Sequence, residues 1–445
     1  MKLNTRRTIL VGFAFLSICA FWQMYDNLVP LILTNTFHMN ETLSGVIMAA
    51  DNVLALFMLP LFGSLSDKCG SKLGRRRPFI LFGTLAAVLL MLGLPLLADS
   101  YHAAPASGKL LGFVGVLGLL LFAMGTYRSP AVALMPDITP KPLRSKANAI
   151  INLMGAVGGI FYLAVAAVMY PNEKTAGLSH VDYQPLFIVV SALMAVSVLV
   201  LYLTIREPKL AEEERAYETA HPEQQLAEDD GSGNEVLPGE VKRSLAFLLV
   251  SISLWFIGYN AVTTWFTVYV GEVMGQGLGG ASTCLLIATG GAIVSYLPIG
   301  AAASKIGRQK TIKGGACLLA ACFLLGYFLT TRYTQINAVM FVVFALVGLA
   351  WAAINVNSLP MVVEMCKGSD IGKFTGYYYT FSMAAQVVTP VLSGWLLKHV
   401  GYTTLFPYAA FFVACSFVTM CFVRHGDSKV AAKKGIEAFA DMDAD

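Results

Sequence analysis

Residues 60–80 read PLFGSLSDKCGSKLGRRRPFI. Apolar runs flank this stretch on both sides, at 43–66 and 77–98. Each is long enough to cross a bilayer, which takes ~20 apolar residues in a helix. Between them stand Asp67 and the basic residues Lys68, Lys72, Arg75, Arg76 and Arg77. The spacing predicts a tight turn at a membrane surface, joining two spans. Gly63, Gly70 and Gly74 allow close packing and positive φ there. A basic loop alone is enough to set membrane orientation. An acid inside the basic cluster is not needed for that. Asp67 ends helix 2 beside the arginines, so charge-assisted bonds can hold one conformational state. Gly63, Asp67, Gly74, Arg75, Arg76 and Arg77 are therefore candidates for a cytoplasmic gate.

The same reading extends outward over all 445 residues. Apolar residues make up 56% of the chain and charged residues only 13%. Soluble proteins carry roughly 25% charged residues, so a soluble enzyme is excluded. A net charge of +4 in so apolar a chain gives no basis for nucleic-acid binding. Spans are expected near 9–37, 43–66, 77–98, 109–136, 143–170 and 184–205. Six more follow near 244–272, 280–303, 311–331, 336–363, 372–397 and 402–424. Helices are the expected spanning element, because the runs exceed strand length and lack alternation. The first run contains Asp26 and has no A-x-A site, so it reads as a span rather than a cleaved signal. The cysteines lie mostly inside apolar runs without a CxxC pair, as buried hydrophobes do.

Residues 206–243 break the pattern with eleven acids and almost no aliphatic cluster. They read as a flexible or partly helical cytoplasmic linker. The expected organisation is a six-helix half over 1–205, the linker 206–243, a second half over 244–424 and a tail over 425–445. If both termini and the linker are cytoplasmic, only Lys109, Lys174, Arg332 and Lys398 fall outside. With Arg128 inside a span, 26 of the 31 basic residues then face the cytoplasm, as the positive-inside rule requires.

The halves resemble each other weakly. Trp22-x-x-Tyr25-Asp26 pairs with Phe256-x-x-Tyr259-Asn260. Pro60-x-x-Gly63 pairs with Pro298-x-Gly300. Asp137 lies nine residues before Lys146, and Glu364 nine before Lys373, which adds Asp137 and Glu364 to the gate candidates. Ordered matches of this kind argue for a duplicated six-helix unit, the architecture of major facilitator carriers.

The stretch from Pro60 to Ile80 carries a more specific likeness. It resembles the sucrose-transporter and proton-linked sugar-carrier group, near the glycoside–pentoside–hexuronide cation symporters. That group has a P-x-x-G-x-x-S-D-[RK]-C-x-S-[RK]-x-G-R-R-R-P-F-I stretch. It also has an A-N-A…A-V-G pattern opening helix 5, matched here by Ala147-Asn148-Ala149 and Ala156-Val157-Gly158. The motif match is confined to the N-terminal half. The resemblance implies symport of a glycoside, often a disaccharide such as sucrose or maltose, with protons favoured over sodium. Two departures matter. The helix 2 carboxylates of melibiose-type relatives fall at Ala55 and Leu59 here, one turn from Asp51. The helix 4 acid of plant sucrose carriers falls at Leu121. Neither coupling site carries over.

Three charges lie well inside expected spans: Asp26, Asp51 and Arg128. A charge there costs about 2.5–3.5 kcal/mol on insertion scales and marks a functional site by default. At ~1.5 Å per residue, Arg128 stands ~13 Å above Asp137, and Asp51 ~24 Å above Asp67. All three belong to helices of one half, so they are expected to share a cavity. A static buried ion pair is the plain alternative. The functional reading is a proton switch, since the distance to an arginine decides how readily a carboxyl keeps its proton.

Sugar recognition needs hydroxyl and amide partners plus aromatic faces. Helix 11 offers Thr375, Tyr379, Ser382, Gln386, Thr389 and Ser393 as one polar stripe. Trp351 and Asn355 on helix 10, Tyr259 and Asn260 on helix 7, and Asn152 on helix 5 add to it. Trp22, Tyr25 and Asn27 on helix 1 complete the candidate set. The plainer account of each is interhelical packing. No glycine-rich nucleotide loop, metal cluster or Ser/His/Asp set appears, so neither a cofactor nor an enzyme is expected.

The sequence thus predicts a monomeric, all-α, twelve-helix major facilitator carrier of the plasma membrane. It would move a sugar with protons by alternating access. A drug or amphiphile exporter on the same fold, and a transport-dead sensor signalling through the acidic linker, are the rivals.

Overall fold

The computed structural model describes residues 3–140, 143–175, 178, 180–220, 238–365, 371–427, 437 and 439. The middle of the linker, 221–237, and most of the tail beyond 427 lie outside the described residues. So do Lys141 and Cys366. The described residues are helical and contain no strand.

Twelve helices are long and apolar enough to span a membrane. They are α1 (Thr5–Thr36), α2 (Glu41–Asp67), α3 (Arg77–Ala103), α4 (Ser107–Asp137), α5 (Arg144–Met169) and α6 (Gln184–Thr204). Then come α7 (Gly239–Met274), α8 (Leu278–Ile306), α9 (Arg308–Arg332), α10 (Ala338–Glu364), α11 (Ile371–His399) and α12 (Tyr402–Met420). Each expected span is present. Several run past the apolar stretch because caps, not hydropathy, set their ends. Asn4, Asn40 and Asn337 accept from Arg7 N, Leu43 N and Met340 N at 3.0, 3.0 and 3.1 Å. Helix α7 begins at Gly239 rather than near 244, behind Pro238, with Glu240 in its first turn. An acid there suits the positive end of the helix dipole. The linker opens with a further helix, Glu207–Ala220. Pro30 interrupts α1, and the chain answers with a π-helical turn over Ile32–Thr36.

Packing repeats with a shift of six helices. In the first half α1 packs on α5 and α6, α4 on α2 and α3, and α3 on α6. In the second, α7 packs on α11 and α12, α10 on α8 and α9, and α9 on α12. The halves meet through α2–α11, α5–α8 and α1–α7. The first two contacts exchange under the same shift, as a pseudo-twofold axis demands.

Hydrogen bonds between the halves gather at the end of the bundle away from the termini, called here the far end. Gly279 N donates to Tyr170 O at 3.0 Å. Asn172 accepts from Gly277 N at 2.9 Å and donates to Gln276. Tyr402 donates to Glu41. Deeper in, Thr267 Oγ1 donates to Asn27 Oδ1 at 2.8 Å. Backbones of the two halves also approach closely at Gly45 of α2. A Cβ there would stand 2.2 Å from Pro390 O of α11. Only glycine lets the two helices touch so closely.

Candidate functional site

Two sites emerge from the helices that face one another. The first lies midway along the bundle. Asp26 of α1, Asp51 of α2 and Arg128 of α4 are half-buried and sit within each other's electrostatic reach. Arg128 lies over the Trp22 ring, 5.4 Å from its centroid. A desolvated contact of this kind contributes about 2 kcal/mol. Trp22 is one turn from Asp26 on the same helix, so α1 presents cation platform and acid together. Asn52 donates to Asp51 Oδ1 at 2.9 Å. Tyr25 is buried, and its hydroxyl donates to Ile47 O at 3.4 Å, tying α1 to α2 beside the acids.

The second half supplies an aromatic wall. Tyr259 of α7 and Trp351 of α10 stack face to face, 3.7 Å between centroids and 5° from parallel. Phe256 meets the same tryptophan edge-on at 5.4 Å. Asn260 Nδ2, next in sequence to Tyr259, and Asn355 Oδ1, one turn from Trp351, have no hydrogen-bond partner among the described residues, nor does Trp22 Nε1 on α1. Leaving a buried polar atom unpaired costs about 1–3 kcal/mol each. A ligand carrying hydroxyls would repay that cost.

The polar stripe of α11 divides. Ser382, Thr389 and Ser393 are buried and bond their own helix, to Tyr379 O, Ala385 O and Thr389 O at 3.1, 2.6 and 2.5 Å. They are satisfied locally, as such residues are inside helices. Gln386 is half-buried and Tyr379 is exposed. Asn27 is buried in the bond to Thr267, between the halves. Asn152 is buried on α5 and donates to Phe439 O at 3.3 Å.

The second site is the charged latch at the terminus end. Arg76 stands just before α3, with its side chain 6% exposed. Its Nε donates to Asp137 Oδ2 at 2.7 Å, its Nη1 to Ser66 Oγ at 2.5 Å and Gly63 O at 3.2 Å, and its Nη2 to Asp67. One guanidinium thus ties the ends of α2, α3 and α4. Burial works against that charge, but the bond and charge of Asp137, with Asp67, outweigh it and raise the Arg76 pKa. Arg75 reaches Asp137 at 3.7 Å. Arg77 points elsewhere, to Tyr202 O at 2.5 Å, with its guanidinium 4.5 Å over the Tyr202 ring.

Sequence reasoning missed Glu207. Its buried carboxylate accepts from the backbone N–H groups of Arg75, Arg76 and Arg77 at 2.7, 2.9 and 2.9 Å. It caps α3 as an anion caps any helix start. Gly74 turns with φ +114°, and a Cβ there would strike Glu207. The second half repeats the device. Arg308 Nη1 donates to Glu364 Oε2 at 2.5 Å. Gly307 turns with φ +97°, and Asp427 accepts from Gln309 N at 3.2 Å. Arg308 and Asp427 were also missed.

Comparison with known proteins agrees with this geometry. The family model described as Major Facilitator Superfamily matches residues 11–295 and 278–440. The chain is 34% identical over 152 residues to sucrose transport protein SUC3 of Arabidopsis thaliana, covering 32% of this chain and 25% of that protein. It is 32% identical over 133 residues to proton-associated sugar transporter A of Mus musculus, covering 28% of this chain and 17% of that one. The matches thus span a quarter or less of those relatives. Among solved structures, the xylose transporter XylE from E. coli in its inward open conformation covers 96% of both chains, with TM-score 0.66 and 15% identity. The nucleoside transporter NupG covers 94% of this chain and all of its own, with TM-score 0.68 and 14% identity. Likeness at that identity speaks for the fold. With the family model matched across both halves, the chain belongs to the Major Facilitator Superfamily.

Proposed function

We propose that the protein is a proton-coupled symporter of a sugar or glycoside, of the disaccharide class, working by alternating access in the plasma membrane. The observation that carries this is the Tyr259–Trp351 stack with unpaired Asn260 and Asn355 beside it. Stacked aromatics suit the apolar face of a pyranose ring, and amides suit its hydroxyls. The names of the sucrose relatives support the same class. Asp26 and Asp51 would carry the proton. Arg128 would act as the charge partner that releases it, or as a substrate anchor. Both termini and the linker are cytoplasmic in this reading, so the far-end contacts close the outer side and the protein faces inward. Residues 1–205 and 244–424 would rock about the central site as two bodies, within a monomer. Arg76 with Asp67 and Asp137, and Arg308 with Glu364, keep each half rigid on the cytoplasmic side.

The test is uptake into proteoliposomes of radiolabelled sucrose, maltose and a panel of glycosides. Accumulation above equilibrium is expected with an inward pH gradient and is expected to stop on adding a protonophore. Equal uptake with and without the gradient, or none by any sugar, overturns the reading.

A further inference from the structure

Two described residues of the C-terminal tail, Glu437 and Phe439, lie against the helix bundle. Phe439 is buried, 8% exposed, in a small cluster separate from the main core. Its partners are Ala149 of α5, Tyr296 of α8, and Ala352 and Val356 of α10. Its ring lies 5.9 Å from that of Tyr296. Its carbonyl accepts from Asn152 Nδ2 at 3.3 Å. Two residues earlier, Glu437 pairs with Lys146 at 3.1 Å. Lys146, Ala149 and Asn152 follow one another at helical spacing, so one face of α5 binds acid, ring and carbonyl in turn. Asn152 is eight residues into α5, which places the contact ~12 Å inside the helix end. On α10 the tail covers Ala352 and Val356, next-door neighbours of Trp351 and Asn355.

We infer that the terminus-end face shared by α5, α8 and α10 is a docking site for Glu437 and Phe439 of the chain's own tail, which plug the substrate path there. Helices of both halves form the site: α5 from one, α8 and α10 from the other. The plug therefore fits only the state in which these faces are spaced as here, and it slows passage there. The consequence for flux rests on the transporter reading above; the docking itself does not.

Two measurements on the full-length protein in membranes test docking without any substrate. A zero-length carbodiimide is expected to join Lys146 to Glu437, found as a crosslinked peptide by mass spectrometry. A Val356→Cys variant is then labelled with a membrane-impermeant maleimide from the terminus-exposed side and read peptide by peptide, the natural thiols serving as controls. Adding Phe439→Ala should speed labelling of position 356 at least five-fold. If Val356→Cys fails to fold, Ala352→Cys takes its place. No crosslink, or labelling rates equal within two-fold, overturns the docking site. A third arm measures sucrose flux, where Phe439→Ala should give at least a three-fold rise. Faster labelling with unchanged sucrose flux overturns the plug as an inhibitor. No flux of any sugar of the panel in any form, with faster labelling, sinks the sugar reading and leaves the docking site standing.

Discussion

A single charge in a membrane span must be explained by what it meets. Asp26 and Asp51 stand within electrostatic reach of Arg128, and Arg128 lies over the Trp22 ring. Replacing either acid by asparagine keeps its shape and removes its titration. Asp26→Asn or Asp51→Asn is expected to abolish uphill sucrose accumulation while sparing exchange between equal concentrations. Full accumulation by both variants would remove the acids from coupling. Trp351 is argued differently, from its stack on Tyr259. Losing an aromatic face costs about 0.5–1.5 kcal/mol here, so Trp351→Ala should raise the KM for the transported sugar roughly 2- to 13-fold with kcat little changed. An unaltered KM would take the aromatic wall out of the site. At this scale the sequence was informative wherever one residue contrasts with its own helix, as a charge in an apolar run does. It was silent on pairings. Nothing near Asn27 announces Thr267, 240 positions away, because the bond depends on how two halves dock.

The helices themselves were legible, since about twenty apolar residues in a row leave lipid only one backbone solution. Their ends were less so. The ends depend on single capping side chains, and Asn4 or Asn40 counts for little in a hydropathy window. Glu207 shows the limit best. It is one of eleven acids in a stretch whose composition reads as solvated linker, yet it is 2% exposed and holds three backbone N–H groups. Leaving buried backbone N–H groups without their acceptor costs about 1–3 kcal/mol. Glu207→Ala should therefore lower unfolding stability in detergent by about that amount, measured by thermal or denaturant melting. A melting curve like the parent's would show the cap to be dispensable. Arg76→Lys should destabilise as well, because an ammonium cannot span Asp67, Ser66 and Asp137 at once as the planar fork does.

At the scale of the whole molecule, the duplication was visible only as scattered ordered matches. The repeated packing scheme makes it explicit, because packing geometry survives where residue identity does not. Closure at the far end depends on close backbone approach. Gly45→Leu would force α2 off Pro390 of α11. Sucrose flux is expected to fall more than ten-fold, while the purified protein stays monodisperse. Unchanged flux would mean that the far end need not close. The tail at Phe439 had no signal in the sequence beyond one phenylalanine in a polar stretch.

The latches carry a last consequence. Glu207 belongs to the chain before residue 221 and secures only first-half helices. Asp427 belongs to the chain after residue 238 and secures only the second. At these two latches each half supplies its own carboxylate. The gene could therefore be cut in two within codons 221–237, and the two polypeptides, made together, should find each other and work as one.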